Sequence, residues 1–555
     1  MSEELSGVAA APGVVAGPVR RVVEPVTDLG PPTRVEDAKA EAETARAALA
    51  DVQMLFEKRA TGANSQEVAD ILSAQAMMAG DPVLWDNISG AIDEGLPAPH
   101  AVARAFASFK TALEQVGGYV GDRAGDLDAI SARVVAVLLG APVADLPVSS
   151  EPYVLVARDL APADTAQLNP AVVLALVTRE GGPTSHTAII ARSFGIPAVV
   201  ACSRAEEISD GESVVVDGDR GIVVRSPDDA HLAEVERRAE WLTRARRESH
   251  GPGRTSDSHG VPLLANVGNA AEAEAAAKDS EGIGLFRTEF LFLDRSEEPS
   301  INEQVEAYVS VFNALGERKV VLRTLDAGAD KPLKWLDLGG EMNPALGVRG
   351  LRTARVRPDV LEHQLIAVAR AAKATAAKVW VMAPMVSTAA EAAEFVGLAH
   401  DQGLTRAGVM VEVPALALCA GDVARVVDFF SIGTNDLSQY VSASDRTIGA
   451  LSDLLDHWQP AVVRLIREVA KGARVGGIPV GVCGESASDP LFALVLVGLG
   501  ISTLSMAPAG LPLVRASLRA HSFEDCKRMA KLALTASDAV EARASVAESV
   551  HIPIG

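Results

Sequence analysis

An α/β multidomain chain ending in a (β/α)8 barrel is the fold class this sequence predicts, and two observations carry it. From about residue 256 onward a strand-then-helix rhythm repeats, with eight apolar strand candidates: Leu263–Val267, Gly282–Arg287, Lys319–Leu325, Val379–Ala383, Gly408–Val413, Asp428–Ile432, Pro479–Cys483 and Ile501–Ser505. Ahead of them, from Pro152 to Arg225, shorter β-branched runs surround one helix, the texture of a separate, compact α/β domain. Counting strands does not close a barrel, so a doubly wound open sheet stands as the competing architecture.

The elements follow in order. Residues 1–20 hold a short Ala/Gly/Pro segment with a strand-like Gly13-Val14-Val15. From Thr33 to Leu139 the chain is rich in Ala, Glu, Arg and Leu, and the helical spacing of Val68, Ile71 and Leu72 predicts a helical insertion, broken at Gly80-Asp81-Pro82 and from Gly95 to Pro99. The small domain then takes strands at Tyr153–Ala157, Val172–Val177, Ala198–Val200, Val214–Asp217 and Ile222–Arg225. Asp228 to Glu248 is a single charged helix running into His-Gly-Pro-Gly, a connector. The expected division is 1–20 with 145–227 as a discontinuous α/β domain, 21–144 helical, 228–255 a linker helix, and 256–555 the barrel.

Composition narrows the function. The 555 residues carry a net charge of −22, which opposes association with nucleic acid or an anionic membrane surface. An anionic substrate must therefore meet a local concentration of Arg or Lys. The cysteines Cys202, Cys419, Cys483 and Cys526 show no CxxC pair and no staple spacing, which fits a reducing, cytoplasmic setting. Met-Ser-Glu-Glu-Leu-Ser at the start is acidic where a signal peptide is basic, and the apolar run near Phe492 to Ile501 is too short to span a bilayer.

Polar residues recur at or just past the C-terminal ends of the barrel strands: Arg287, Arg323, Glu412, Asn435 with Asp436, and Cys483. Such ends converge on one mouth, where barrel enzymes build their sites. Arg287, Arg323, Arg349 and Arg446 supply guanidinium forks for phosphate and carboxylate oxygens. Glu412 and Asp436 supply hard oxygen ligands for a magnesium ion shared with a substrate phosphate. The pattern suits a small phosphorylated carboxylic acid, whereas ordinary salt bridges would explain the pairing of these charges but not their location. Cys483, in Val-Cys-Gly-Glu, keeps its proton at neutral pH if its thiol is ordinary and could hand it to an enolate carbon; taken alone, a buried core cysteine is the simpler account.

A second centre lies in the small domain, at Gly181-Gly182-Pro183-Thr184-Ser185-His186-Thr187. The glycines allow a sharp turn, Thr184 or Ser185 can cap a helix running to about Ser193, and His186 falls in its first turn. The helix dipole there disfavours imidazolium and stabilises a phosphoryl adduct, so His186 is suited to carry phosphate. No second His or Cys stands at ligand spacing, which argues against a metal at this place.

The Gly-Gly-x-Thr-Ser-His segment at 181–186 resembles the phosphohistidine loop of the phosphoenolpyruvate-utilising enzymes. Gly284 to Phe292, Arg323-Thr324-Leu325-Asp326, Asn343 to Arg349, Met410 to Pro414 and Ser431 to Leu437 resemble the barrel of the same family, so the likeness is close to full length. The opening Gly7 to Gly13 and the helical insertion are similar to the Enzyme I branch, from the bacterial sugar phosphotransferase system. An ATP-grasp domain, as in the dikinase and synthase branches, does not fit into the first 150 residues.

What the resemblance implies is a phosphoenolpyruvate-protein phosphotransferase. His186 would take the phosphoryl group from phosphoenolpyruvate (PEP) and pass it to the histidine-containing phosphocarrier protein HPr, docked on the helical domain 21–144. Glu412 and Asp436 would hold Mg2+, Arg287, Arg323, Arg349, Asn435 and Arg446 the substrate, and Cys483 would protonate the departing enolpyruvate. It also implies a homodimer through the barrel and a swivelling phosphohistidine domain, with hinges expected near Leu146–Pro152 and Ser226–Gly260. Ala329, Ser486 and Ala507 depart from the family's usual glycine, methionine and serine. A magnesium-dependent barrel lyase or synthase acting on 2-oxo acids, another PEP-utilising phosphotransferase, and a non-catalytic regulator are the rival readings. A lyase would have no use for the histidine helix start, and a regulator no need for the whole rim.

Overall fold

The computed structural model describes the chain except residues 1, 12, 24–28, 34, 62–65, 117–123, 142–145, 148, 161–163, 165–167, 183–184, 294, 328–332, 337, 339–340, 447 and 554–555. It falls into two units, Met1–Ala239 and Glu240–Gly555.

In the first unit, β1 (Glu3–Ser6), β2 (Val8–Ala11) and β3 (Val14–Arg21) precede helices α1 (Ala38–Thr61), α2 (Gln66–Ala79), α3 (Pro82–Asp93), α4 (Ala98–Val116) and α5 (Ala124–Leu139). Then come β4 (Tyr153–Ala157), β5 (Val173–Thr178), α6 (His186–Phe194), β6 (Ala198–Val200), β7 (Ser213–Asp217) and β8 (Ile222–Arg225), and the chain passes into the second unit within α7 (Asp229–Glu248). The strands form one mixed sheet in the order β1-β8-β7-β3-β4-β5-β6-β2. β3 is its pivot, antiparallel to β7 and parallel to β4, with Val19 opposite Val154. The helices α1 to α5 thus leave the sheet after one strand and return at that strand's neighbour. Every residue of β4 is buried, because Tyr153, Leu155 and Ala157 pack on one face with Ala188 and Ala191 of α6, while Val154 and Val156 pack on the other. The strands β1 and β2 were not expected. They are the two edges of the sheet, paired to β8 and β6, and the exposed acidic Glu3 and Glu4 hide the strand pattern of β1.

Leu49, Val52, Phe56, Leu84, Ile88, Val102, Phe106, Ile130 and Val134 form the core of the helical part. The expected break at Gly80-Asp81-Pro82 is a helix restart, since Asp81 accepts from the N–H groups of Val83 (2.7 Å) and Leu84 (3.3 Å) and Pro82 opens α3.

In the second unit, β9 (Leu263–Val267), β10 (Gly282–Arg287), β11 (Lys319–Arg323), β12 (Lys378–Ala383), β13 (Ala407–Val411), β14 (Phe430–Ile432), β15 (Val480–Val482) and β16 (Thr503–Met506) run parallel. β16 returns to β9, with Leu504 opposite Leu263, so the sheet closes into a barrel and the open-sheet alternative falls. Side chains alternate: Val320, Leu322, Val381, Val409 and Val411 face the surrounding helices, while Leu285, Val321, Met382, Met410, Phe429 and Cys483 fill the barrel.

Asp489 locks the last quarter of the barrel. It caps the helix Pro490–Leu499 by accepting from the N–H groups of Leu491 (2.8 Å) and Phe492 (3.2 Å), accepts from Trp458 Nε1 (3.1 Å), and pairs with His457 (3.3 Å) and Arg543 (3.5 Å). Burial alone would raise its carboxyl, but the His457 hydrogen bond and the Arg543 and His457 charges hold it far below the ordinary range. Its contribution is therefore present above the unfolded-chain value and lost as pH falls through the folded one. Asp489→Ala is expected to cost about 3 kcal/mol, read as a lower urea midpoint for the barrel transition. Among the described residues no helix is long and apolar enough to cross a membrane.

Candidate active site

The alternation that fills the barrel also builds its rim. On β10, β11 and the strand ends at β13 and β15, the inward position two residues after Leu285, Val321, Met410 and Gly481 is Arg287, Arg323, Glu412 and Cys483. Each apolar interior residue is thus followed by a chemical group at the mouth. Asn435 and Asp436 lie in the first turn of the helix Thr434–Ser442, immediately after β14. Arg349 precedes the short 3-10 helix Gly350–Arg355, and Arg446 follows the helix Thr434–Ser442.

These eight residues line one cavity of about 230 Å³, together with Glu289, Asp326 and Glu485. The guanidiniums are tied by carboxylates. Asp326 accepts from Arg349 Nη2 (2.9 Å) and Nε (3.3 Å), and its Oδ2 stands 3.1 Å from Arg323 Nη1. Burial would raise the Asp326 carboxyl, but Arg323 and Arg349 outweigh it and hold it low. Glu289 accepts from Arg323 Nη2 (2.8 Å), and Arg349 Nη1 reaches Asp436 (3.2 Å) and the Tyr440 hydroxyl (3.2 Å). Arg446 stands 3.9 Å from Asp436. The forks are thereby preorganised, with little left to order when a doubly anionic ligand arrives.

Glu412 is fully buried and accepts from the Met385 N–H (2.6 Å) through Oε1 alone. Its Oε2 is buried without a hydrogen-bond partner, and a Cβ at Gly433 would stand only 3.0 Å from that oxygen. Burial, then the Asp436 and Asp326 charges, pushes its carboxyl up to about 8, against the pull of Arg323 and Arg349. An orphaned, poorly solvated carboxylate oxygen beside Asp436 fits a divalent cation. Among the described residues there is no group of three or more His, Cys, Asp or Glu placed to hold a metal, so substrate oxygens and water must complete the shell. Met385, with φ 58, is held in the left-handed region as it donates to Glu412.

Burial pushes the Cys483 thiol up to about 11, and its Sγ lies 3.6 Å from the Ile432 carbonyl. It is a protonated group at the cavity wall. Gly484 beside it cannot carry a side chain, because a Cβ there would meet Thr434 Oγ1 at 1.9 Å. Ser486, one of the departures, is accommodated by a 2.8 Å hydrogen bond to Thr434. Ala507 is exposed, and Ala329 lies outside the described residues.

In the first unit, α6 begins at His186, and Ser185 Oγ accepts from the Ala188 N–H (3.3 Å), so Ser185 is a cap. Gly181 takes φ +93, the turn the glycine pair permits. The His186 side chain and residues Pro183 and Thr184 lie outside the described residues. Sequence reasoning had not singled out Asp326, Glu289 or Tyr440. The first two sit in the quoted Arg323-Thr324-Leu325-Asp326 and Gly284 to Phe292 segments, where their nearness to arginine was the available signal.

A barrel enzyme that gathers arginines, a cation-ready carboxylate pair and a protonated thiol around a small anionic substrate is the class this geometry defines. Residues 243–523 match the PEP-binding domain of PEP-utilising enzymes, 149–221 their mobile domain and 6–123 their N-terminal domain. The chain belongs to the PEP-utilising enzyme family. It is 48% identical over 549 residues to the phosphoenolpyruvate-protein phosphotransferase of Streptomyces coelicolor, with 98% of each chain covered. To that of Haloferax volcanii it is 41% identical over 522 residues, with 91% of each covered. An NMR solution structure of Enzyme I is 34% identical, covering 42% of this chain and 98% of that one, with a TM-score of 0.39.

Proposed function

We propose that this chain is a phosphoenolpyruvate-protein phosphotransferase that passes the phosphoryl group through His186 to a histidine of the phosphocarrier protein HPr and releases pyruvate. The observation that carries the reading is the single cavity in which Arg287, Arg323, Arg349, Asn435, Arg446, Glu412, Asp436 and Cys483 meet, with a capped helix starting at His186 elsewhere in the chain.

Arg287, Arg323, Arg349, Arg446 and Asn435 bind the phosphate and carboxylate of PEP, and Glu412 with Asp436 would hold Mg2+. When bound, that ion would neutralise phosphate charge and help orient the phosphorus. The neutral His186 ring attacks phosphorus; an N–P bond forms, the P–O bond to the enol breaks, and the electron pair stays on enolpyruvate. The Cys483 thiol gives its proton to the methylene carbon, pyruvate leaves, and the thiolate is reprotonated from solvent. The barrel mouth must exclude water during transfer while His186 must later meet a protein, so the small domain has to move between two partners. The helical part 21–144 is the docking region for HPr, the barrel domain the homodimer contact, and the cytoplasm the compartment. Supporting the reading are the three matching family segments and the near full-length relatives.

The test is to mix the chain with PEP and Mg2+ and look for an acid-labile, base-stable phosphoprotein that HPr discharges. No covalent phosphate overturns the proposal. Cys483→Ala is expected to slow pyruvate formation about 10²-fold while PEP affinity stays the same. Because the thiol is pushed up to about 11, the wild-type protonation step holds across neutral pH and fails only as pH approaches that value. Unchanged turnover in the variant would make Cys483 a core residue only.

A further inference from the structure

A glutamine interrupts the apolar face that the helix Pro358–Ala374 buries. Val360, Gln364, Ala367, Val368 and Ala371 recur there at helical spacing and all are buried, Gln364 at 1% exposure. An amide in such a place costs free energy unless its donors and acceptor are met. Gln364 Oε1 accepts from the Leu325 N–H (2.8 Å), and its Nε2 donates to Thr288 Oγ1 (3.1 Å) and to the Tyr308 hydroxyl (3.1 Å). Thr288 Oγ1 in turn donates to the Arg323 carbonyl (2.9 Å). The Tyr308 hydroxyl donates to Gln304 Oε1 (3.2 Å), whose Nε2 donates to the Pro299 carbonyl (2.9 Å). A backbone N–H can only donate and a carbonyl only accept, so the three backbone ends fix every direction in the network, the Gln364 amide included.

The network sits where the β11 ladder ends. The Thr324 N–H still reaches the Met382 carbonyl (2.9 Å), but the next N–H, that of Leu325, goes to Gln364. Thr288 stands between Arg287 and Glu289 just past β10, and Leu325 stands just before Asp326 past β11. Arg287, Glu289, Arg323 and Asp326 all line the cavity of about 230 Å³. Gln364 does not line it, yet it ties down the backbone that carries all four.

We propose that Gln364 is a positioning residue for the substrate, holding the turns after β10 and β11 at the separation at which Arg287 and Arg323 grip one PEP molecule. The inference rests on the reading of this cavity as the PEP site. Two guanidiniums on neighbouring turns bind a small dianion well only if their separation is set before it arrives. A fully satisfied buried network sets it, because hydrogen bonds have direction where apolar packing has none. Glutamine supplies the acceptor and the two donors that Leu325, Thr288 and Tyr308 require; methionine has the length and none of them.

The test uses the full chain. KM, kcat and melting temperature are measured with His186 present, and PEP affinity by titration calorimetry in the His186→Ala background, where binding is not followed by transfer. Gln364→Met is expected to weaken PEP affinity and raise KM about tenfold, with kcat changed less than about threefold, well below its melting temperature. Thr288→Val keeps the shape, deletes the hydroxyl and should reproduce that split, while Thr288→Ser restores the wild-type values. Gln364→Met with Thr288→Val should bind no more weakly than the worse single variant, because both cut one chain. A glutamine that only stabilises the fold would lower the melting temperature and leave affinity and KM alone, so wild-type values in folded Gln364→Met overturn the proposal. Wild-type KM in Thr288→Val overturns it too, and decides by itself if Gln364→Met does not fold. Losses that multiply in the double variant also overturn it. Absence of PEP binding in the His186→Ala parent is a distinct failure, which removes the reading of the cavity and the inference with it.

Discussion

His186→Ala is expected to abolish phosphoprotein formation from PEP, by at least about 10⁴-fold, because it removes the ring nitrogen proposed to attack phosphorus. The fold survives the change. His186 is the first residue of α6, Ser185 still caps it through the Ala188 N–H, and alanine is the best helix former, so the helix is expected to form in the variant. PEP binding also survives, since the guanidiniums and carboxylates that line the cavity all belong to the barrel. The measurement pairs acid-labile phosphate on the chain with PEP affinity by titration calorimetry. Covalent phosphate persisting at the wild-type level, with affinity unchanged, would place the nucleophile elsewhere.

Glu412→Gln is expected to lower kcat/KM by about 10³-fold and to weaken Mg2+ binding, with little loss of stability. The amide oxygen can keep the hydrogen bond from the Met385 N–H, while the NH2 group takes the place of the Oε2 that now has no partner. An amide also never takes on the charge that burial, Asp436 and Asp326 all disfavour at this position. The melting temperature without metal should therefore stay level or rise, while the activity falls. Full activity at unchanged Mg2+ demand would remove Glu412 from the cation site. A collapse in melting temperature would show that its role is to hold the barrel together.

The barrel's strands were legible because each is a short apolar run bounded by turn residues, and the rim was legible because its groups stand at those runs' ends. Leu263–Val267 and Gly282–Arg287 coincide with β9 and β10 to the residue. Others were drawn long: Lys319–Leu325 ends at Arg323, and Pro479–Cys483 narrows to Val480–Val482, because the ladder stops where the chain turns into the mouth. The edge strands β1 and β2 escaped notice since their partners arrive about 200 residues later, and neither the acidic β1 nor the alanine-rich β2 shows the alternation that marks a half-buried strand.

Local chemistry along the chain was enough to establish a multidomain α/β enzyme with a helix starting at His186 and a rim of guanidiniums and acids, since helix caps, strand alternation and strand-end polarity are short-range properties. Closure of β16 onto β9, the reach of Asp326 to Arg349 and the bare oxygen of Glu412 came only with the three-dimensional arrangement. Each of these joins residues far apart in the chain, and whether a charge is neutralised or left exposed to a low-dielectric interior depends on what folding places beside it.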